Sequence, residues 1–579
     1  MKMHVLLTTL HAKYSHASLA LPCIASCCSN LDDVDVDICE LTVNEQHHAL
    51  LRRIMSYGAE VVAFSCYIWN IEQTLKLAAD IKQISADTRI VLGGPEASFG
   101  VFELMHEHPA VDFVIKGEGE LVFRKLLEQL NVFKQNPERL ENVDKSFAAI
   151  ENLFFRDGVD IATGPLSKKP LELDQIPSPF TAGLVDLSRP LTYYETSRGC
   201  PFSCAFCLSS VEGAVRSFSM ARIESDLGWL MRHNTSQIKF VDRTFNFDSR
   251  RANHIWLFIL ENNQSSRFHF EIAADLLTDD NLTLLSRVPA GVFHFEIGIQ
   301  SASQETLEQV NRKSNLAAIC ANVKRLREET AVEIHLDLVA GLPGEEYAGL
   351  LSSLQVVAEL RPHMIQIEPL KVLKGAPMRE IANKLGYRYS GNTPYTILAT
   401  PWLGYADICR VETVGRLLDL FYNHGGFHHS LRFMQQRMTF SALFDRLAHS
   451  AHTLDLSGRA TRRLYELFAE LCGQLLSEEA RSLLYDTLFF DYCSCEMPLQ
   501  GRLPAFIDDR KQQCRWPKRQ ELAQSHDLPD DSRIRLFRFE FMQDYRGIVP
   551  DGGQSAIDFV YISGEGRGLQ VLILPAPSE

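Results

Sequence analysis

The sequence predicts an α/β protein in three parts: a doubly wound parallel sheet over residues 1–135, a partial (β/α)6 barrel over 189–375, and a mainly helical α+β domain over 376–579. A connector over 136–188 joins the first two. Three observations carry this. Strand-like and helix-like segments alternate in the first part, six βα units follow in the second, and long amphipathic periodicity fills the third. A chain of 579 residues with ordinary globular composition has room for that many cores.

In the first part, apolar runs at 5–9, 34–39, 60–67, 89–92 and 111–115 read as strands. Helical spacing at 18–28, 46–57, 71–84 and 121–130 reads as the crossovers. Sheets of this kind bind ligands beyond the carboxyl ends of their strands, where the strand order reverses. Ser65, Gly93, Gly94 and Gly117 stand at three such ends, and glycine there lets backbone approach a flat ligand. Cys23, Cys27 and Cys28 share helical spacing, which suits core packing.

The connector carries a hairpin signal around Asp157-Gly158, then Pro165, Pro170, Pro177 and Pro179, which suggest an extended strap. Strand signals of the barrel lie at 191–196, 238–241, 268–273, 292–299, 333–339 and 364–369. Helical segments at 223–232, 253–261, 304–310, 316–328 and 350–360 separate them. Barrels of this type place chemistry at the carboxyl ends of their strands.

The stretch Arg198-Gly199-Cys200-Pro201-Phe202-Ser203-Cys204-Ala205-Phe206-Cys207 falls just past the first barrel strand. Its C-x3-C-x2-C spacing can aim three thiolates at one centre. A [4Fe–4S] cluster held at three corners keeps one iron open. Zinc is the rival, although a closed zinc site needs a fourth ligand and no second cysteine pair lies nearby. Three ordinary buried cysteines are the remaining reading.

With Phe206 before the last cysteine, this motif resembles the radical S-adenosylmethionine (SAM) superfamily. The resemblance implies that Cys200, Cys204 and Cys207 hold the cluster and that its open iron binds the amino and carboxylate groups of SAM. An electron from the cluster then cleaves SAM to a 5′-deoxyadenosyl radical. It further implies SAM contacts at Phe206, Asp242, Gln300, Ser301, Gly341 and Gly344, with Glu271 and Arg216 as further polar neighbours. The first part, upstream of such a motif, resembles the flavodoxin-like cobalamin-binding domain of cobalamin-dependent radical SAM proteins. Ser65 and the Gly93-Gly94 pair would line its nucleotide-tail pocket, with Gly117 as a further cofactor-binding position. The D-x-H-x-x-G signature is absent after the first strand, so neither His11 nor His16 is expected on cobalt. The third part resembles the uncharacterised C-terminal domain of one cobalamin-binding radical SAM family.

In the third part, 410–422 and 440–484 are helical by periodicity, 533–541 alternates as a strand, and 559–563 with 568–574 reads as a hairpin. Asn392–Tyr395 and Trp402 sit in a loop that could cover the barrel mouth. Cys493, Cys495 and Cys514 could ligate an auxiliary metal, but no standard spacing is completed.

The net charge of −15 argues against nucleic acid, and the basic run at 510–519 reads as a solvated face. No apolar run reaches membrane-spanning length. Ile24-Ala25-Ser26-Cys27 imitates a lipoprotein cleavage site, but His11, Lys13 and His16 interrupt the apolar stretch that export requires. Fourteen cysteines then point to a reducing cytoplasm. The expected function is radical SAM chemistry with cobalamin, foremost methylation of an unactivated carbon in a small-molecule or peptide substrate. A flavodoxin- or ferredoxin-type electron donor would serve it. Cyclisation or rearrangement without methyl transfer, and a non-enzymatic cobalamin sensor or carrier, are the alternatives.

Overall fold

The computed structural model describes residues 2–135, 143–167, 171–211, 213–452, 454, 456, 460–499, 503–507, 513–515, 533–543, 545, 555–564 and 567–575. Its first sheet contains β1 (Met3–His11), β2 (Val34–Thr42), β3 (Val61–Ser65), β4 (Arg89–Gly93), β5 (Phe113–Ile115), β6 (Leu153–Asp157) and β7 (Asp160–Thr163). The order is β2-β1-β3-β4-β5-β6-β7, parallel through β5. Strand β1 is apolar on both faces because it is central and covered twice. Leu50, Ile54, Leu77 and Ile81 cover one side of the sheet. Leu21, Ala25, Phe123 and Leu126 cover the other. The strand order reverses between β1 and β3, so the binding crevice opens there.

Two features differ from expectation. The hairpin β6–β7 is not a free connector: it pairs antiparallel on β5, because Leu153, Phe154 and Phe155 are apolar enough to extend the core. A further helix, Val101–Glu107, links β4 to β5; at seven residues its periodicity is too short to stand out.

The barrel is assembled from β8 (Thr192–Tyr194), β11 (Gln237–Phe240), β12 (Arg267–Ile272), β13 (Phe293–Gln300), β14 (Glu333–Ala340) and β15 (Met364–Pro369). These run parallel in sequential order, with two edges and therefore an open side. The short ribbon β9 (Ser197–Arg198) and β10 (Arg216–Ser217) brackets the cysteine loop. One face of each strand is apolar and meets the helices. Ile255, Trp256, Ile259, Val323, Leu326, Leu354 and Val357 belong to that layer. The alternate residues face the lumen, as in the pattern His294, Glu296, Gly298, Gln300 along β13.

Strand β15 is capped by the helix Tyr405–Leu417. A Cβ on Gly415 would stand 2.9 Å from the Ile367 carbonyl, so only glycine allows this approach. The periodic stretch 440–484 divides into Phe440–Ala451, Thr461–Gly473 and the start of Glu478–Cys495. Ser477 caps the last of these and restarts the helix. A four-stranded antiparallel sheet follows, with Arg533–Phe541 between Gln513–Arg515 and Ser555–Gly564, and Arg567–Pro575 at its edge. The basic run at 510–519 lies almost wholly outside the described residues. Among those described, no helix is long and apolar enough to cross a membrane.

Candidate active site

The cysteine loop is anchored on all sides. Gly199 adopts φ +94°, and a Cβ there would meet the Ala214 carbonyl at 2.9 Å. The Ala205 amide donates to the Val310 carbonyl at 2.8 Å, and the Met378 amide donates to Ala205 at 2.8 Å. Asn311 Nδ2 holds the Ser203 carbonyl at 3.1 Å. Phe206 packs on the apolar bed of Leu342, Leu370 and Met378. The three thiols are free; Cys204 is buried, Cys200 and Cys207 half-buried. Cys200 Sγ lies 3.5 Å from Thr244 Oγ1, and Arg312 Nη1 donates to Cys204 Sγ at 3.6 Å. Burial pushes the Cys204 thiol up, opposed by the Arg312 guanidinium. Among the described residues, no three Cys, His, Asp or Glu side chains converge closely enough for a single ion. Three thiols on one short loop are the donor chemistry that a three-cysteine cluster uses.

The strand ends divide into two groups. Glu271, Gln300, Gly341 and Gly344 sit at the carboxyl ends of β12, β13 and β14, around the loop. Gln300 takes φ +72° at a bulge in β13, a left-handed conformation rare for a side-chain-bearing residue. Gly341 and Gly344 both have positive φ, and Tyr387 Oη donates to the Gly341 carbonyl at 3.0 Å. Glu271 lines the lumen; burial and then the neighbouring Glu296 push its carboxyl up from 4.5 to about 7.

Three expected contacts go elsewhere. Asp242 is fully buried and turned into the protein. It accepts from the Thr196 amide at 2.9 Å, from the Thr196 hydroxyl, and from Ser197 Oγ at 2.5 Å. Both its oxygens accept hydrogen bonds, so it holds the start of the cysteine loop. Ser301 is fully buried and donates to Glu345 Oε1 at 2.6 Å. Arg216 leaves the site for Glu118 Oε1 at 2.6 Å and the Leu171 carbonyl at 2.7 Å. These side chains are too deep, or too well paired, to remain free for a ligand.

In the first domain, Ser65 pairs with Gly93 across β3 and β4. Gly94 has φ +93°, and its Cβ would fall 2.7 Å from the Cys66 carbonyl, so close backbone contact forbids a side chain. Gly93 and Gly117 instead look onto open space, the cradle a flat group requires. Sequence reasoning missed Trp69. Its ring stacks on Tyr67 at 4.4 Å, it is 44% exposed, and Nε1 donates to the Leu10 carbonyl at 3.1 Å. It stands between the ends of β1 and β3, at the crevice. The only signal was two aromatics just past a strand. His11 is buried against Glu40 at 3.0 Å, which in turn meets Arg189 at 3.1 Å. His16 packs edge-on against Tyr193 of the barrel.

The two crevices share a border. Arg198 bonds Glu120 at 2.5 Å, Glu195 at 2.7 Å and Glu118 at 3.2 Å. On the other flank, Lys374 meets Glu96 at 3.2 Å, Tyr395 Oη donates to Glu96, and Thr393 donates to Glu72 at 3.0 Å. The loop containing Tyr395 thus docks on the first domain. Cys23, Cys27 and Cys28 are buried, and burial pushes Cys27 up to about 11 and Cys28 to about 12, consistent with packing. Cys493 is buried in the C-terminal core, and the Cys514 side chain lies outside the described residues.

Comparison with known proteins matches residues 5–127 to the B12 binding domain, 194–356 to the radical SAM superfamily, and 383–539 to a protein family of unknown function, DUF4080. The chain is 27% identical over 353 residues to the cobalamin-dependent radical SAM methyltransferase TokK of Streptomyces tokunonensis, covering 55% of this chain and 48% of that protein. It is 23% identical over 357 residues to an anaerobic magnesium-protoporphyrin IX monomethyl ester cyclase of Rubrivivax gelatinosus, covering 58% of this chain and 59% of that protein. The chain spans about half the length of TokK. Among solved structures, the cobalamin-dependent SAM radical enzyme OxsB, with aqua-cobalamin and SAM bound, superposes with TM-score 0.57 at 14% identity, covering 85% of this chain and 84% of that one. The radical SAM methyltransferase TsrM of Kitasatospora setae gives 0.54 at 15% identity, covering 68% and 80%. These two likenesses concern the fold.

Proposed function

We propose, for a chain that joins a B12 binding domain to a radical SAM domain and a DUF4080 domain, that it methylates an unactivated carbon. One observation carries this reading: the turn that holds Gly117 and the root of the cysteine loop are joined directly, Arg198 pairing with Glu118 and Glu120. When bound, the cluster, SAM and cobalamin supply hydrogen abstraction by a deoxyadenosyl radical and transfer of a methyl group. The chain's own residues do the rest. Cys200, Cys204 and Cys207 would hold the cluster. Arg312 donates to Cys204 Sγ and balances charge on that thiolate. Thr196, Ser197 and Asp242 fix the loop's root, and Gly93, Gly94 and Gly117 admit a flat group to the facing crevice. Lumen residues below the loop would orient a small-molecule or peptide substrate. A cytoplasmic setting and a low-potential flavodoxin- or ferredoxin-type donor accompany this reading.

The test is anaerobic purification with iron, sulfide and cobalamin quantified on one sample, followed by turnover with methyl-labelled SAM. The expected result is cobalamin and a cluster in the same chain, label in product, and loss of the brown colour and of deoxyadenosine when any of the three cysteines becomes serine. Deoxyadenosine without label in any product would discard methylation. The similarity to a cyclase keeps one second reading, ring closure without methyl transfer, which product mass distinguishes.

A further inference from the structure

Three consecutive residues brace the cysteine loop from the segment that follows β13. The Val310 carbonyl accepts from the Ala205 amide at 2.8 Å. Asn311, at φ +52°, donates to the Ser203 carbonyl at 3.1 Å and to Ser203 Oγ at 2.6 Å. Arg312 then reaches inward. Its Nη1 donates to Cys204 Sγ at 3.6 Å and its Nη2 to the Gly298 carbonyl. Its own amide is tied to the Leu307 carbonyl at 2.9 Å, so the root of the side chain is fixed by backbone.

The charge on this guanidinium has no counterpart within the protein. Among the described residues no carboxylate lies within ion-pair distance of Arg312, and its Nε is buried without a partner. Arg198, Arg222 and Lys239, by contrast, each meet a carboxylate, at 2.5, 2.6 and 3.1 Å. Asp337 stands in register with Gly298, but His335 takes it at 3.1 Å. A charge held away from water is costly unless an opposite charge meets it. The group of that sign within reach of Arg312 is the Cys204 sulfur, which must be a thiolate to act as a ligand. Thr244 Oγ1 lies 3.5 Å from Cys200 Sγ, but its hydroxyl donates to the Arg243 carbonyl at 2.8 Å. Among the described residues, Arg312 is therefore the one cationic side chain that donates to a sulfur of the loop.

We infer that Arg312 is a positioning residue that sets the reduction potential of the cluster through the Cys204 thiolate, holding it within reach of a flavodoxin- or ferredoxin-type donor. The inference rests on the reading above, in which the three cysteines hold a cluster, and adds what governs its reduction. One electron taken from the donor adds one negative charge to the thiolate-bound cluster. A cation that hydrogen-bonds a ligating sulfur favours the reduced form over the oxidised form, and the potential rises.

The experiment uses the full chain, reconstituted anaerobically with iron and sulfide and without SAM. It is titrated with dithionite against redox mediators while the reduced cluster is followed by electron paramagnetic resonance. Arg312→Gln is expected to lower the midpoint potential by at least about 59 mV, a tenfold change in a one-electron equilibrium, at the parent's iron content. Arg312→Lys keeps the charge and loses the fork, so its potential should fall between the two. Any other order overturns the inference. A shift that appears only after SAM is added also overturns it, because Arg312 would then act on SAM. If Arg312→Gln alone loses iron, Arg312→Lys decides, and a potential no lower than the parent's overturns the inference. Loss of iron from both variants makes Arg312 a brace of the loop and overturns it as well. A parent chain that binds no iron overturns the inference and the proposed function together, whereas absence of label in product touches methylation alone.

Discussion

Replacing Glu271 by glutamine should make the protein more stable, by an amount that grows as pH rises above about 4.5. The carboxyl is raised from 4.5 to about 7, first by burial and then by Glu296. Below pH 4.5 the folded and unfolded chains both keep this proton and no penalty arises. Between 4.5 and 7 the unfolded chain releases the proton while the folded chain retains it, so stability falls as pH rises through that window. Above 7 the loss is complete, at roughly 3 kcal/mol from about 1.4 kcal/mol per factor of ten. Glutamine fills the same volume and cannot ionise. The gap between Glu271→Gln and the parent should be under about 0.5 kcal/mol at pH 4.5 and grow to about 3 kcal/mol at pH 8. Urea unfolding of the cofactor-free chain at four pH values, followed by tryptophan fluorescence, measures it; Trp256 lies in the barrel core against Phe295. A constant gap across the range, or a variant less stable at pH 8, would refute the assignment of Glu271 as an unpaired buried acid.

Gly94→Ala should cost about 3 kcal/mol, because it adds left-handed strain and a backbone clash, and cobalamin content should fall with the fold. Gly117→Ala, with open space around it, should cost only about 1 kcal/mol in thermal melting yet still lower cobalamin per chain if a flat group occupies that space. Arg198→Ala leaves Glu120 and Glu195 buried without a cation and should cost about 3–5 kcal/mol. Glu118→Gln, at the more exposed edge of the same cluster, should cost under about 1 kcal/mol. Asp242→Ala unpairs the Thr196 amide and two hydroxyls, so iron retained after gel filtration should drop even where circular dichroism is unchanged.

Legibility followed the physics of each signal. All six barrel strands agree with their predicted positions to within a few residues, because each is a short stretch with apolar residues at every second position between segments of helical spacing. The cysteine loop was readable because its chemistry lies in three adjacent spacings. Side-chain direction was not. Asp242 and Ser301 stand where the resemblance expects ligand contacts, and both are turned into the core by partners 44 to 46 residues away. No local pattern encodes Thr196 meeting Asp242. Trp69 was missed for the same reason: its exposure depends on the gap between β1 and β3, which only the assembled sheet creates. The β6–β7 hairpin read as a connector because its turn is local while its pairing with β5 is not.

The Gly117-Glu118-Gly119-Glu120 turn shows how one short stretch serves both domains. Gly117 keeps a side chain out of the crevice, and Glu118 and Glu120 reach across to Arg198, two residues before Cys200. An apolar seam of the same area could slide by a few tenths of an ångström at little cost, since dispersion has no preferred direction. A guanidinium held by three carboxylates cannot, because any displacement leaves a buried charge unpaired. Glu96 repeats the arrangement on the other flank, taking Lys374 and Tyr395 from the segment that follows β15. With one charged anchor on either side, the glycine crevice and the cysteine loop are fixed in distance and in angle. The methyl transfer proposed above, which would bring two bound groups to one carbon, requires that of its scaffold.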